Sequence, residues 1–84
     1  MPDSFIVNIT NARGSFETDL EIPSFMTFSE LKDKLLEILK ILDEDEFRSW
    51  QDFRLYYRNR AIGDDESLAR AGAFDGSRLV AAPE

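Results

Sequence analysis

Two acidic runs, Asp43-Glu44-Asp45-Glu46 and Asp64-Asp65-Glu66, are the densest groupings of side chains with potential chemistry in this sequence. Carboxylates can ligate a hard cation. Neither run follows the D-x-D-x-D-G…E spacing of a calcium loop, and adjacent acids point apart, so both read as solvated segments. Carboxylates can also serve as an acid and base pair, but that needs one member desolvated enough to shift its pKa, and nothing around these acids suggests burial. The chain has no histidine and no cysteine. That removes the commonest general base and zinc ligand, along with thiol catalysis, thiolate metal sites and disulfides. The expectation is a protein that is not an enzyme, with no catalytic, metal-ligating or cofactor-binding residue assigned and no cofactor.

A second pattern supports recognition instead of reaction. In FRLYYR, Phe53 to Arg58, residues alternate, so if Leu55 faces a core then Arg54, Tyr56 and Arg58 face outward. The final apolar stretch, Ser77 to Ala82, places Val80 and Ala82 on its outer face by the same two-residue period. Arg54, Tyr56, Arg58, Val80 and Ala82 are therefore the candidate protein-binding residues, an aromatic and apolar patch flanked by arginines. Tyr and Arg are the types enriched at interface hot spots. Arg54, Arg58 and Arg60 could touch phosphate. A net charge of −7 nevertheless opposes nucleic acid and anionic lipid, which leaves a protein as the expected partner. Phe47 and Trp50 are either a second contact surface or the floor of a small core.

The elements that must position these residues are legible from period and punctuation. Phe5 to Thr10 alternates as a first strand, Asn11-Ala12-Arg13-Gly14 turns, and Phe16, Thr18, Leu20 and Ile22 mark one face of a second strand closed by Pro23. Thr27 and Glu30 form a capping box, with Met26 and Leu31 placed as a hydrophobic staple. Phe28, Leu31, Leu35, Ile38, Leu39 and Leu42 then trace a helical stripe. Continuing that helix through four acids would set them against its negative C-terminal end, so a break near Leu42 is expected, with Asp43 and Glu46 capping a short helix through Phe47 and Trp50. A third strand over Phe53 to Arg58, a short fourth at Ala61-Ile62, one helical turn at Leu68 to Ala71 ended by Gly72, and a last strand over Ser77 to Ala82 complete the chain. A hairpin, a helix crossover and a return place the first and last strands side by side at the centre of a mixed sheet. The fold class is α+β: a four- to five-stranded mixed sheet packed on one long helix, in one domain spanning residues 1–84.

The register of RLYYRNRAIGDDESLARAGAFDGSRLVAA, with Leu55, Ile62, Leu68, Gly72 and Leu79 in place, resembles the ubiquitin-like β-grasp fold, and TFSELK from Thr27 to Lys32 resembles its helix start. DLEIPSFMTFSELKDKLLEIL (Asp19 to Leu39) and SLARAGAFDGSRL (Ser67 to Leu79) most resemble the YukD/EsaB family of small bacterial proteins of type VII (WXG100/ESX-like) secretion. DEDEFRSWQDF departs most from that pattern. The resemblance implies a non-enzymatic, cytoplasmic accessory of a bacterial type VII secretion system that docks on a membrane-bound component. Two other roles of the fold are a modifier or sulfur carrier, disfavoured because Ala81-Ala82-Pro83-Glu84 lacks a Gly-Gly tail, and a structural subunit of a multicomponent enzyme. The N-terminal segment shows no secretory signal, and no apolar run reaches the roughly 20 residues of a membrane span, so a cytosolic location without direct membrane insertion is expected.

Overall fold

The computed structural model describes residues 3–84. In chain order the elements are β1 (Ser4–Asn11), β2 (Glu17–Pro23), α1 (Phe28–Leu42), α2 (Glu44–Phe47), β3 (Phe53–Tyr57), β4 (Arg60–Ala61), α3 (Leu68–Ala71) and β5 (Arg78–Pro83). The sheet order is β2-β1-β5-β3-β4. β1 and β5 lie parallel at its centre, as the helix crossover requires, and every other pairing is antiparallel. The mixed five-stranded sheet with α1 across one face is the α+β β-grasp arrangement anticipated from the sequence.

The inner face follows the two-residue period. Val7, Ile9, Leu55, Leu79 and Ala81 have no exposed surface at all. α1 starts where its capping box lies: Thr27 Oγ1 accepts from the Glu30 N–H (3.4 Å), and the Glu30 carboxylate accepts from the Thr27 N–H (2.9 Å). Its buried stripe is Phe28, Leu31, Leu35, Leu36 and Leu39. This corrects the expected stripe at one end. Leu36, three residues before Leu39, joins the core, while Leu42 is 49% exposed because the chain swings away at Asp43. Met26 is also exposed, so the staple lacks a buried N-terminal member.

The expected break at Leu42 is present: Asp43 caps α2, its carboxylate accepting from the Glu46 N–H at 3.2 Å. α2 is four residues long and ends at Phe47, short of Trp50. It carries Phe47 into the core. Phe16 and Phe47 meet edge to face at 4.8 Å, Phe47 and Trp50 at 4.7 Å, and the row continues through Phe53 to Phe28. Below α1, α3 is capped by Ser67 and ended by Gly72 at φ 94°, a left-handed conformation that glycine adopts without a Cβ penalty. The loop before it is tied to the start of α1 by the Phe28 N–H to Glu66 C=O and Ser29 N–H to Asp64 C=O bonds (2.8 and 3.1 Å).

The third strand ends one residue earlier than the alternation predicts. Tyr57 pairs with Arg60, leaving a two-residue turn in which Arg58 (φ 52°) and Asn59 (φ 65°) both take positive φ. Two consecutive positive φ values match the twist of a tight hairpin. The fourth strand accordingly begins at Arg60 and not at Ala61.

Candidate sheet-face interface

The outer face of the sheet is assembled by register. Tyr56 pairs with Val80 and Arg54 with Ala82 across β3 and β5, while Val80 pairs with Thr10 and Arg78 with Asn8 across β5 and β1. Tyr56, Val80 and Ala82 thus form one apolar floor, with Tyr56 36% exposed and the other two half-buried. The floor belongs to a shallow groove of about 570 Å³ that also reaches Ala12, Asn59 and the guanidinium-bearing Arg58 and Arg78.

The two predicted flanking arginines behave differently. Arg58 stands in the β3–β4 turn, not on the strand, yet still borders the groove; its guanidinium lies 5.2 Å from the Tyr57 ring, and among the described residues it has no carboxylate partner. Arg54 is drawn to the rim of the sheet and does not line the groove. It donates through Nη1 to Asp64 and through Nε to Glu84 (2.9 Å), and its guanidinium sits 5.4 Å from the Phe28 ring. Asp64 holds the Arg54 guanidinium above its ordinary pKa, and Arg54 in turn holds the Asp64 carboxyl below the usual carboxylate range. Next to it Lys32 Nζ meets Asp52 at 2.9 Å, which lowers the Asp52 carboxyl and raises the lysine. Arg54 is thus a tie joining β3, the loop before α3 and residue 84.

Arg78 takes the place on the groove that the sequence reading gave to Arg54. The signal was available: the period that turns Val80 and Ala82 outward turns Arg78 outward too. Its Nε donates to Asn8 Oδ1 at 3.2 Å, and its Nη2 is 3.4 Å from Glu17. Phe47 and Trp50 are 0% and 8% exposed, so they belong to the core and present no contact surface.

The two acidic runs are divided among separate partners. Asp64 pairs with Arg54, and Glu66 accepts from Arg60 (3.0 and 3.1 Å) and from the Gly63 N–H (2.8 Å). In the other run Asp43 caps α2 and Asp45 meets Arg48 at 2.7 Å. Glu46 turns inward: its side chain is 11% exposed and accepts from Arg13 (2.7 Å), Asn11 Nδ2 (2.7 Å) and Ser15 (3.4 Å). Arg13 first, and then Asn11 and Ser15, hold the Glu46 carboxyl below its ordinary value against the opposing effect of desolvation. Asn11 Oδ1 also accepts from the Phe16 N–H, so one half-buried carboxylate clamps the β1–β2 hairpin onto α2.

What remains is a groove with an aromatic and aliphatic floor, edged by the Arg58 guanidinium and by Arg78, which Asn8 and Glu17 hold in place. The groove is a contact surface built from these groups. It can bury a small apolar group and donate forked hydrogen bonds to a carboxylate or a carbonyl.

No protein-family model matches the sequence, and a search of curated proteins finds no match. Among solved structures, the chain is similar to the ubiquitin-like domain of the Mycobacterium tuberculosis type VII secretion system protein EccD1. The TM-score is 0.78 at 25% identity, covering 98% of this chain and 99% of that one. It is also similar to the ubiquitin of Caldiarchaeum subterraneum, with a TM-score of 0.68 at 27% identity over 96% of this chain and 94% of that one. A chain of the MycP5-free ESX-5 inner membrane complex matches at a TM-score of 0.77 and 16% identity, where 95% of this chain corresponds to 21% of the other. The fold is ubiquitin-like, and its structural neighbours include ubiquitin-like domains of type VII secretion proteins.

Proposed function

We propose that the protein is a non-enzymatic ubiquitin-like interaction module. In this reading it serves a bacterial type VII secretion system from the cytoplasm, as the YukD/EsaB resemblance implies, and docks on a membrane-bound component through the groove of Tyr56, Val80 and Ala82 edged by Arg58 and Arg78. The observation that carries the reading is the likeness to the EccD1 ubiquitin-like domain over nearly the full length of both chains. Two features add support: the groove brings together the residue types that dominate interface energetics, and no helix among the described residues is long and apolar enough to cross a membrane.

The test is capture of secretion components from detergent-solubilised membranes of the encoding bacterium on the immobilised chain, compared with Tyr56→Ala and Arg58→Glu. A central aromatic anchor contributes about 2 kcal/mol or more, so Tyr56→Ala should reduce affinity roughly thirtyfold while the thermal melt stays near that of the parent. Undiminished capture by the folded variants sinks the docking face.

A conjugated modifier is a second reading, favoured by the likeness to an archaeal ubiquitin. Against it, Ala82 and Pro83 lie in register with Arg54 and Phe53, and the Glu84 N–H donates to the Asp52 C=O at 3.0 Å. Mass spectrometry after incubation with an activating enzyme and ATP separates the two: an adenylate or conjugate supports the modifier, and its absence supports the binder.

A further inference from the structure

One end of the groove is formed by a residue that lies beyond the strands. The parallel register of β1 and β5 stops at the Asn11–Ala81 pair, so Ala12, which lines the groove, takes its position from the β1–β2 turn. Within that turn the Gly14 N–H donates to the Asn11 C=O at 3.1 Å, and the Asn11 N–H donates to the Phe16 C=O at 3.3 Å. Ala12 also borders a separate recess of about 260 Å³, whose lining includes Arg13, Glu46, Trp50 and Pro83. It is the one lining residue that groove and recess share, and so the partition between them.

The group that fixes this turn comes from far along the chain. Glu46 accepts from Arg13 Nη2 through both carboxylate oxygens (2.7 and 2.9 Å) and from Asn11 Nδ2 (2.7 Å). Asn11 is buried, and its amide is engaged at both ends: Nδ2 donates a second bond to Ser15 Oγ (2.8 Å), and Oδ1 accepts from the Phe16 N–H (3.2 Å). Residues 11, 13, 15 and 16 therefore converge on one carboxylate, directly or through Asn11. Glutamine at position 46 would keep an acceptor for Asn11 but lose the charge that pairs with the guanidinium. The next residue, Phe47, grips the apolar side of the same hairpin through Phe16 at 4.8 Å. Both belong to DEDEFRSWQDF, the segment that departs most from the YukD/EsaB pattern.

We infer that Glu46 is a positioning residue for docking: it holds the β1–β2 turn in place as the end wall of the groove, so that the departing segment sets the shape of the binding surface. This rests on the groove being the docking face. A turn that is ordered before docking loses less freedom on association, so a partner seated against Ala12 binds more tightly while the wall is fixed. The Arg13 side chain is 77% exposed, and a pair with so exposed a member adds little to global stability. The main consequence of the bridge is therefore local. With it broken, the turn moves independently of α2, and the recess opens toward Trp50, which is 8% exposed in the closed arrangement.

The experiment compares Arg13→Ala, Arg13→Lys and Glu46→Gln with the parent chain of residues 1–84. Acrylamide quenching of Trp50, the one tryptophan, should rise about twofold in Arg13→Ala and Glu46→Gln, with the thermal melt of Arg13→Ala near that of the parent. Backbone amide relaxation should show Ala12 to Ser15 newly mobile while β3 and β5 keep their order. Capture of secretion components from detergent-solubilised membranes should weaken roughly fivefold in the same two variants, and Arg13→Lys, which keeps the charge, should recover most of it. Arg13→Ala, at an exposed position, carries the test should Glu46→Gln fail to fold. Unchanged quenching and relaxation overturn the inference, and so does full capture by both variants where Tyr56→Ala has lost it. Undiminished capture by Tyr56→Ala instead refutes the groove as the docking face, and the role of Glu46 in docking with it.

Discussion

Replacing Phe47 with leucine tests whether the acidic segment around it is a structural insert or a contact surface. Phe47 is fully buried and makes two near-perpendicular ring contacts, with Phe16 at 4.8 Å and 87° and with Trp50 at 4.7 Å and 81°. Each such contact contributes about 0.5–1.5 kcal/mol beyond the area it buries, so leucine, which keeps most of the apolar volume but neither contact, should cost about 2 kcal/mol. At about 0.05–0.15 kcal/mol per residue a chain of 84 residues holds roughly 4–12 kcal/mol in all, enough for the variant to remain folded. The cost should lower the melting temperature by roughly 10 °C. The protein contains one tryptophan, Trp50, and it stands directly against the mutated ring, so its fluorescence in a urea titration reports the transition at the right place. A lower urea midpoint with an unchanged slope is the expected signature. A loss below about 0.5 kcal/mol, the range of a surface substitution, would falsify the assignment of Phe47 to the core.

Acid should unfold the protein through its ion pairs. Arg13 lowers the Glu46 carboxyl, Lys32 lowers Asp52, Arg54 lowers Asp64 and Arg60 lowers Glu66, relative to ordinary values of 4.5 for Glu and 3.8 for Asp. A carboxyl with a lower pKa in the folded state lends stability that is complete above its unfolded value and is lost as pH falls through the folded one. The urea midpoint should therefore hold between pH 7 and about 5 and decline below about 4.5; a midpoint that climbs steadily to pH 3 contradicts this. Gly72→Ala should cost about 1–2 kcal/mol, because at φ 94° the strain is in the backbone and the new Cβ would meet only the Tyr57 ring at 3.9 Å. Gly63→Ala, at a position without positive φ and with its nearest contact at 3.5 Å, is the control and should be neutral or slightly stabilising in the same melts.

The sequence expressed most of the architecture because the relevant signals are local. Thr27 with Glu30, the alternations in β1, β3 and β5, Asp43 as a new cap and Gly72 as a terminator each depend on neighbours within four residues. The candidate site was less legible because its side chains answer to distant partners. Arg54 has the right type and parity for the face, but Asp64 and Glu84, 10 and 30 residues away, pull it to the rim. Arg58 shifted because only the hairpin register distinguishes a last strand residue from a first turn residue. Leu36 and Leu42 depart from the period for a tertiary reason as well: Leu42 falls near the middle of the expected stripe and Leu36 about 120° round the helix from it, yet Leu36 is buried and Leu42 is exposed at the bend into α2.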